Sequence, residues 1–394
     1  MSALGSDMAS NRLVEVATAI TVDGGPSALT ARALAQHAGA SPSAVNYHFG
    51  GRDGLLGEVH RNLRGRREAW RRRRLAEATA GSPAWAFVVA AVSDLAFAQR
   101  GESLALLEFE PMAGEAPAEL ARAIHDEHAA QDRFWAEAAR RLGGDDGAAL
   151  VWSHVARTAT RFALIDTTPA PALLWLSPAM LRVAERLDGR PTPAATPWLA
   201  AATPPGTLPE RPAGAQRLVG AALRLIGERG LHAVTLRSVA QAAGLSLAST
   251  TYFFETKADI VHAAFTQLRD GISHATLDAD RRAGDVGDAL IGPAGEMRWE
   301  VGAMLALFLA GARNDDLRPV ALSLRRLSGQ TSAAWLARHV AGPCDRLDAF
   351  IWSCFGMGLQ EHLLHLAPEA RRATMDLTGQ QAGARLFGIS TDPA

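Results

Sequence analysis

The feature that most constrains the fold is an ungapped internal repeat. The pattern Thr-x-Arg-x-x-Ala-Gln-x-Ala-Gly-x-Ser, closed by Tyr and Phe, runs from Thr30 to Phe49 and again from Thr235 to Phe254 in a chain of 394 residues. A constant step of 205 maps Arg12, Ala17, Gly25, Thr30, Arg32, Gly39, Ser41, Tyr47 and Phe49 onto Arg217, Ala222, Gly230, Thr235, Arg237, Gly244, Ser246, Tyr252 and Phe254. A period near half the chain length means domain duplication, since the units of a solenoid are far shorter.

Each copy reads as three short helices. Leu13, Ala17 and Ile20, and in the second copy Leu218, Ala222 and Leu225, share one helix face at i, i+4, i+7. Gly25 and Gly230 suit the left-handed residue that ends a helix. Thr30 and Thr235 are predicted N-caps of the second helices, and Gly39 and Gly244 supply tight turns. Ser41 and Ser246 cap a third helix, which Pro42 starts in the first copy. The product is helix, glycine turn, helix, with the last helix placed for a DNA major groove.

Beyond each head the pattern stays helical. Helices are predicted over Asp53–Ala78, Pro83–Gln99, Glu102–Met112, Pro117–Leu142, Asp146–Asp166 and Ala172–Leu187. In the second half they fall at Ala258–Arg281, Gly295–Ala310, Pro319–His339, Pro343–Leu366 and Ala370–Gly388. No alternating β pattern with hairpin turns interrupts them, so the fold is expected to be all-α. The expected domains are a head at 10–56, a helical domain at 57–187, a Pro-rich linker at 188–211, a second head at 212–261 and a second helical domain at 262–394. At about 3.1 Å per residue such a linker spans on the order of 70 Å, enough for the halves to dock side by side.

Net charge is only −1, so any affinity for a polyanion must come from local placement. Gln216–Lys257 has a surplus of three cations and Asn11–Arg52 a surplus of one. No apolar run has the roughly 20 residues of a membrane span and no leader is evident, so a cytoplasmic protein without membrane partners is expected. Cys344 and Cys354 read as reduced thiols.

The Thr-x-Arg, Ala-Gly-x-Ser and Tyr-x-Phe elements, each copy followed by Arg52 or Lys257, resemble the TetR family of bacterial transcription regulators, twice over. The resemblance implies two tandem units. Each is a helix-turn-helix head plus a helical domain that binds a small effector and dimerises through its last two helices. It further implies third-helix contacts to base edges from Ser43, Ala44, Asn46 and Tyr47, and from Ala248, Ser249, Thr251 and Tyr252. Asn46 suits adenine, and Thr251 suits a thymine methyl or a phosphate. Thr30, Arg32, Ser41, His48, Arg52, Thr235, Arg237, Ser246 and Lys257 would position the duplex. Because Asn46 faces Thr251 and Pro42 faces Leu247 in the repeat, the operator is expected to be asymmetric. The expected partners are double-stranded DNA, a small-molecule effector and the other half of the chain, with a two-chain homodimer as the alternative.

Several features have less specific readings. Arg61–Arg74 holds eight arginines, read as a salt-bridged or solvated helix with phosphate contact as the alternative. His125 with His128, and His362 with His365, lack an obvious carboxylate or cysteine partner in sequence, so polar-face or interface histidines are expected and no metal or cofactor. Glu108 and Glu110 sit in an apolar run and can be read as receiving a cationic ligand or as a helix end facing water. No phosphate loop, nucleophile elbow or zinc motif points to an enzyme. An architectural or interaction DNA-binding protein without ligand control is the first alternative, and an all-helical enzyme, suggested only by the pairs Asp145-Asp146 and Asp315-Asp316, is the second.

Overall fold

The computed structural model describes residues 3–39, 47–192, 211–278, 297 and 299–389, and its regular elements among these are helices, with no strand. The first half contributes α1 (Ala3–Gly24), α2 (Ala31–Ala38), α3 (Arg52–Glu77), α4 (Ala84–Ser93), α5 (Arg100–Phe109), α6 (Ala118–Arg141), α7 (Asp146–Ile165) and α8 (Pro169–Leu187). The second half contributes α9 (Ala213–Arg229), α10 (Leu236–Ala243), α11 (Leu247–Phe253), α12 (Lys257–Asp278), α13 (Trp299–Arg313), α14 (Arg318–Leu327), α15 (Gln330–His339), α16 (Arg346–Leu364) and α17 (Pro368–Phe387). Most of the linker 188–211 lies outside the described residues.

Two predicted helices differ from the structure. The one over Pro83–Gln99 gives way after Ser93 to a π turn at Asp94–Ala98. The one over Pro319–His339 breaks into α14 and α15, the chain leaving helical geometry at Ser328 (ψ of 133°) and turning at Gly329, whose φ is 89°. Gly329 passes so near the backbone of Ala349 and Phe350 that a Cβ there would lie 2.7 Å from it, so packing against α16 demands glycine. Gly25 and Gly230 also differ in kind. Their φ values are 78° and 84° with ψ of 170° and 169°, a mirror-extended geometry. The left-handed caps fall instead at Gly39 and Gly244, with φ of 63° and 64°.

The chain divides into two compact units that do not coincide with the repeat. One is Met1–Glu77 with Ala98–Phe134 and the other is Ala78–Phe97 with Trp135–Ala394. In the first unit, head and helical domain share one core: Leu13 and Ala17 of α1, Leu34 of α2, Leu55 and Val59 of α3 and Phe109 of α5 pack together. Several arginines of α3 are paired. Arg66 bridges Glu15 of α1 and Glu102 of α5, Arg67 donates to Ser103 at 2.7 Å, and Arg71 makes a two-pronged contact with Glu127 of α6. Arg72 and Arg73 are exposed. The salt-bridged reading of this helix therefore describes most of it.

In the second unit α7 is central. Nearly every residue from Ala148 to Ile165 is buried, and α4, α8, α13, α14, α16 and α17 pack around it. Its many alanines let these helices approach closely. The last two helices of each half thus form one bundle, with α7 and α8 against α16 and α17. At the crossing of α7 and α16, Thr158 donates to the Cys354 carbonyl at 2.7 Å, and His362 meets His154 edge-on. The second head is seated on the same unit through α9, which crosses α13 at Gly227 and Gly302. A Cβ at either glycine would collide with the facing backbone.

Candidate nucleic-acid interface

The second head is described throughout. Thr235 caps α10, its hydroxyl accepting from the amide of Ser238 at 2.9 Å while the Ser238 hydroxyl accepts from the Thr235 amide. Gly244 turns the chain in the left-handed region, and Ser246 caps α11 by accepting from the Ser249 amide at 3.0 Å. These caps satisfy amides that the first turn of a helix leaves open. Buried Thr250 anchors the inner face of α11, and Phe253 packs over Gly214 of α9. The opposite face is free. Tyr252 is 82% exposed, and Ala248 and Thr251 are exposed beside it. The Thr251 hydroxyl contacts the carbonyls of Leu247 and Ala248, at 3.2 and 3.0 Å. Its donor is therefore used within the helix.

The first head shows the same frame as far as it is described. Thr30 accepts from the Ala33 amide at 3.0 Å, Gly39 turns the chain, and Tyr47 is 83% exposed with His48 against its ring. Ser41, Ser43, Ala44 and Asn46 lie outside the described residues. Arg32 and Arg237 are exposed on the second helices of their heads. Each exposed tyrosine presents an apolar ring with a polar hydroxyl tip, the amphipathic character that suits a partner surface.

A family model for bacterial regulatory proteins of the tetR family matches residues 13–59 and again residues 218–264. The chain carries this tetR-family match once in each half. No curated protein matches it. The TetR-type heads make it a DNA-binding transcription regulator, and their matched segments contain every helix whose caps are described above.

Within these TetR-type heads the structure places two expected phosphate contacts in a further role. Lys257 Nζ donates to the Leu231 carbonyl at 3.0 Å, and Arg52 donates to the carbonyls of Pro26 and Leu29 at 3.1 and 3.4 Å. Both cations hold the short turn between the first and second helices while remaining exposed at its rim. Sequence reasoning missed this because the acceptors are backbone atoms 26 residues upstream, which carry no side-chain signature. It also missed Ser238, whose place three residues after Thr235 was the available signal. Glu108 reaches the first head, its carboxylate against Gly25. Among the described residues no helix is long and apolar enough to cross a membrane.

Proposed function

We propose that the chain is a ligand-responsive transcriptional repressor acting as a pseudo-dimer, whose two unlike heads read an asymmetric operator. The supporting observation is that α7 and α8 pack with α16 and α17 inside one polypeptide, the role the family gives to the last two helices of separate chains. Fusion keeps the partner at an effective concentration that reaches the mM range, so pairing does not limit DNA binding. Thr251, its hydroxyl used internally, offers a methyl group suited to thymine. Asn46 in the first copy suits adenine, so the half-sites differ. The heads must enter major grooves about 34–36 Å apart, or a multiple of that spacing. An effector in the helical domains that favours another spacing lowers operator affinity by its differential binding to the two states. The reading assigns no catalysis.

Selection of sites from random DNA with the full chain tests the proposal. The expected product has two different half-sites about one turn apart, and a perfect palindrome would overturn the asymmetry. A thermal-shift screen tests effector control: a stabilising compound that also releases the selected DNA is expected. Compounds that stabilise without releasing DNA would favour a binder with no ligand control.

A further inference from the structure

The bundle helices repeat as well as the heads. Asp145, Trp152 and Ser153 recur 200 positions on as Asp345, Trp352 and Ser353, and Pro169, Leu187 and Gly189 recur 199 positions on as Pro368, Leu386 and Gly388. Part of the contact pattern follows this equivalence. Arg186 and its counterpart Arg385 each reach the start of the other half's crossing helix, Arg186 at Asp348 (2.6 Å) and Arg385 at Asp145 (3.2 Å), through carboxylates that are not themselves counterparts. Thr158 meets the Cys354 carbonyl, and its counterpart Gly358 abuts the His154 carbonyl. Helices α7 and α16 therefore cross about a local two-fold axis. On such an axis a residue at the centre meets its own counterpart.

The residues that meet there are Arg161 and Glu361, counterparts at the step of 200. Arg161 Nε donates to Glu361 Oε2 at 2.6 Å, and Arg157 Nη1 donates to Oε1 at 3.3 Å. All three side chains are at most 2% exposed. In a self-pairing bundle this position must tolerate its own kind. Here it holds opposite charges, both in the first-half cation to second-half anion sense. The flanking pair is one-sided in the same sense: Arg182 donates to Asp348 at 2.9 Å, whereas their counterparts are Gln381 and Ala148.

We propose that the Arg157–Arg161–Glu361 triad is a pairing code, by which α7–α8 accepts α16–α17 and rejects a second copy of itself, and the reverse. Two first halves would bring Arg161 onto Arg161, with both Arg157 side chains beside them. Two second halves would bring Glu361 onto Glu361. Buried like charges with no counter-ion are strongly disfavoured, and this is specificity by repulsion as much as by attraction. The partner of each half is thus the unlike half, normally of the same chain, and an assembly in which every half meets its twin is excluded. The inference rests on the pseudo-dimer reading but concerns the bundle alone, so it is tested without DNA, and a failure to find an operator would leave it intact.

Three full-length variants test it: Glu361→Arg, Arg157→Glu with Arg161→Glu, and all three changes together. The first two should each melt roughly 5–10 °C below the parent. Mixed in equal amounts they should form a complex of twice the chain mass by light scattering, since each then supplies the charge the other lacks. The triple variant, with the code inverted inside one chain, should regain the mass of a single chain and most of the lost melting temperature. The proposal is overturned if either parent of the mixture dimerises alone as readily as in the mixture. It is equally overturned if the triple variant melts no higher than the less altered ones, a reading that stands even where those fail to fold.

Discussion

Lys257 donates from Nζ to the Leu231 carbonyl at 3.0 Å, and Arg52, its repeat counterpart, donates to Pro26, the counterpart of Leu231, at 3.1 Å. Two chemically different cations thus build one latch, tying the turn after the first helix to the start of the helix that leaves the head. Lys257→Arg should preserve it, because an arginine already does so in the first head. Lys257→Met should cost about 1 kcal/mol, a charged hydrogen bond discounted for its exposed position. Urea unfolding of the two variants checks this, and equal stabilities would dissolve the latch.

Tyr47 and Tyr252 are 83% and 82% exposed. Removing an exposed ring leaves the fold intact, so Tyr47→Ala and Tyr252→Ala should melt with the parent protein. Each should weaken binding to the selected operator by about 10- to 100-fold, the scale of one lost base-edge or phosphate-positioning group. Anisotropy titration alongside melting separates the two effects. Lower stability with unaltered DNA affinity would return the tyrosines to a packing role.

His60 is buried in the first unit, its ring edge-on to Phe109 at 4.9 Å and its Nδ1 without a hydrogen-bond partner. Burial, with the Arg64 charge adding to it, lowers its pKa from 6.5 to about 4. The folded protein therefore holds this ring neutral where the unfolded chain protonates it. Stability is complete above pH 6.5 and falls as pH drops toward 4, by up to about 3 kcal/mol from this group. His60→Leu should be no less stable than the parent at pH 7.5, since no hydrogen bond is lost. Chemical unfolding of both proteins between pH 7.5 and 4 should give curves that converge on the alkaline side and separate on the acid side. Parallel curves would refute a buried neutral imidazole.

Asp348, 1% exposed, accepts from both Arg182 and Arg186 across the bundle. Burial opposes its ionisation, but hydrogen bonds from Arg186, the Asp345 amide and Arg182 outweigh that and hold the carboxyl below the usual aspartate value. Its contribution is present above the unfolded aspartate value of about 3.9 and is lost as pH falls through the lower folded value. Asp348→Asn should cost about 3 kcal/mol at neutral pH by leaving two buried cations under-compensated. Its stability should also vary less with pH below about 4 than that of the parent. Denaturant unfolding at pH 7 and pH 3.5 measures both, and a neutral-pH loss within error of zero would show the pair to be dispensable.

Much of the head is legible because its determinants are local. Thr30, Thr235 and Ser246 bond amides three residues on, and Gly39 and Gly244 take a left-handed angle that their neighbours cannot. The break at Gly329 was less legible. Gly329 sits among polar residues, Ser328 before it and Gln330 after, yet a lone glycine in a helical stretch is ambiguous until the backbone of Ala349 and Phe350 is seen against it. The arginines of α3 show the same limit from another side. Their density suggested charge pairing, but only the fold identifies Glu15, Glu102 and Glu127 as the partners.

By itself the sequence determined that there are two heads, that they are helical and capped, and that the repeat carries Asn46 in one copy where the other has Thr251. These follow from hydrogen bonds and backbone angles within a few residues of chain. Only the tertiary structure decided who pairs with whom. Arg161 and Glu361 stand 200 residues apart, in helices that the sequence marks out only as two separate helical stretches. A buried charge is tolerable only where packing delivers its counter-ion, and that delivery is a property of the assembled bundle and not of either helix.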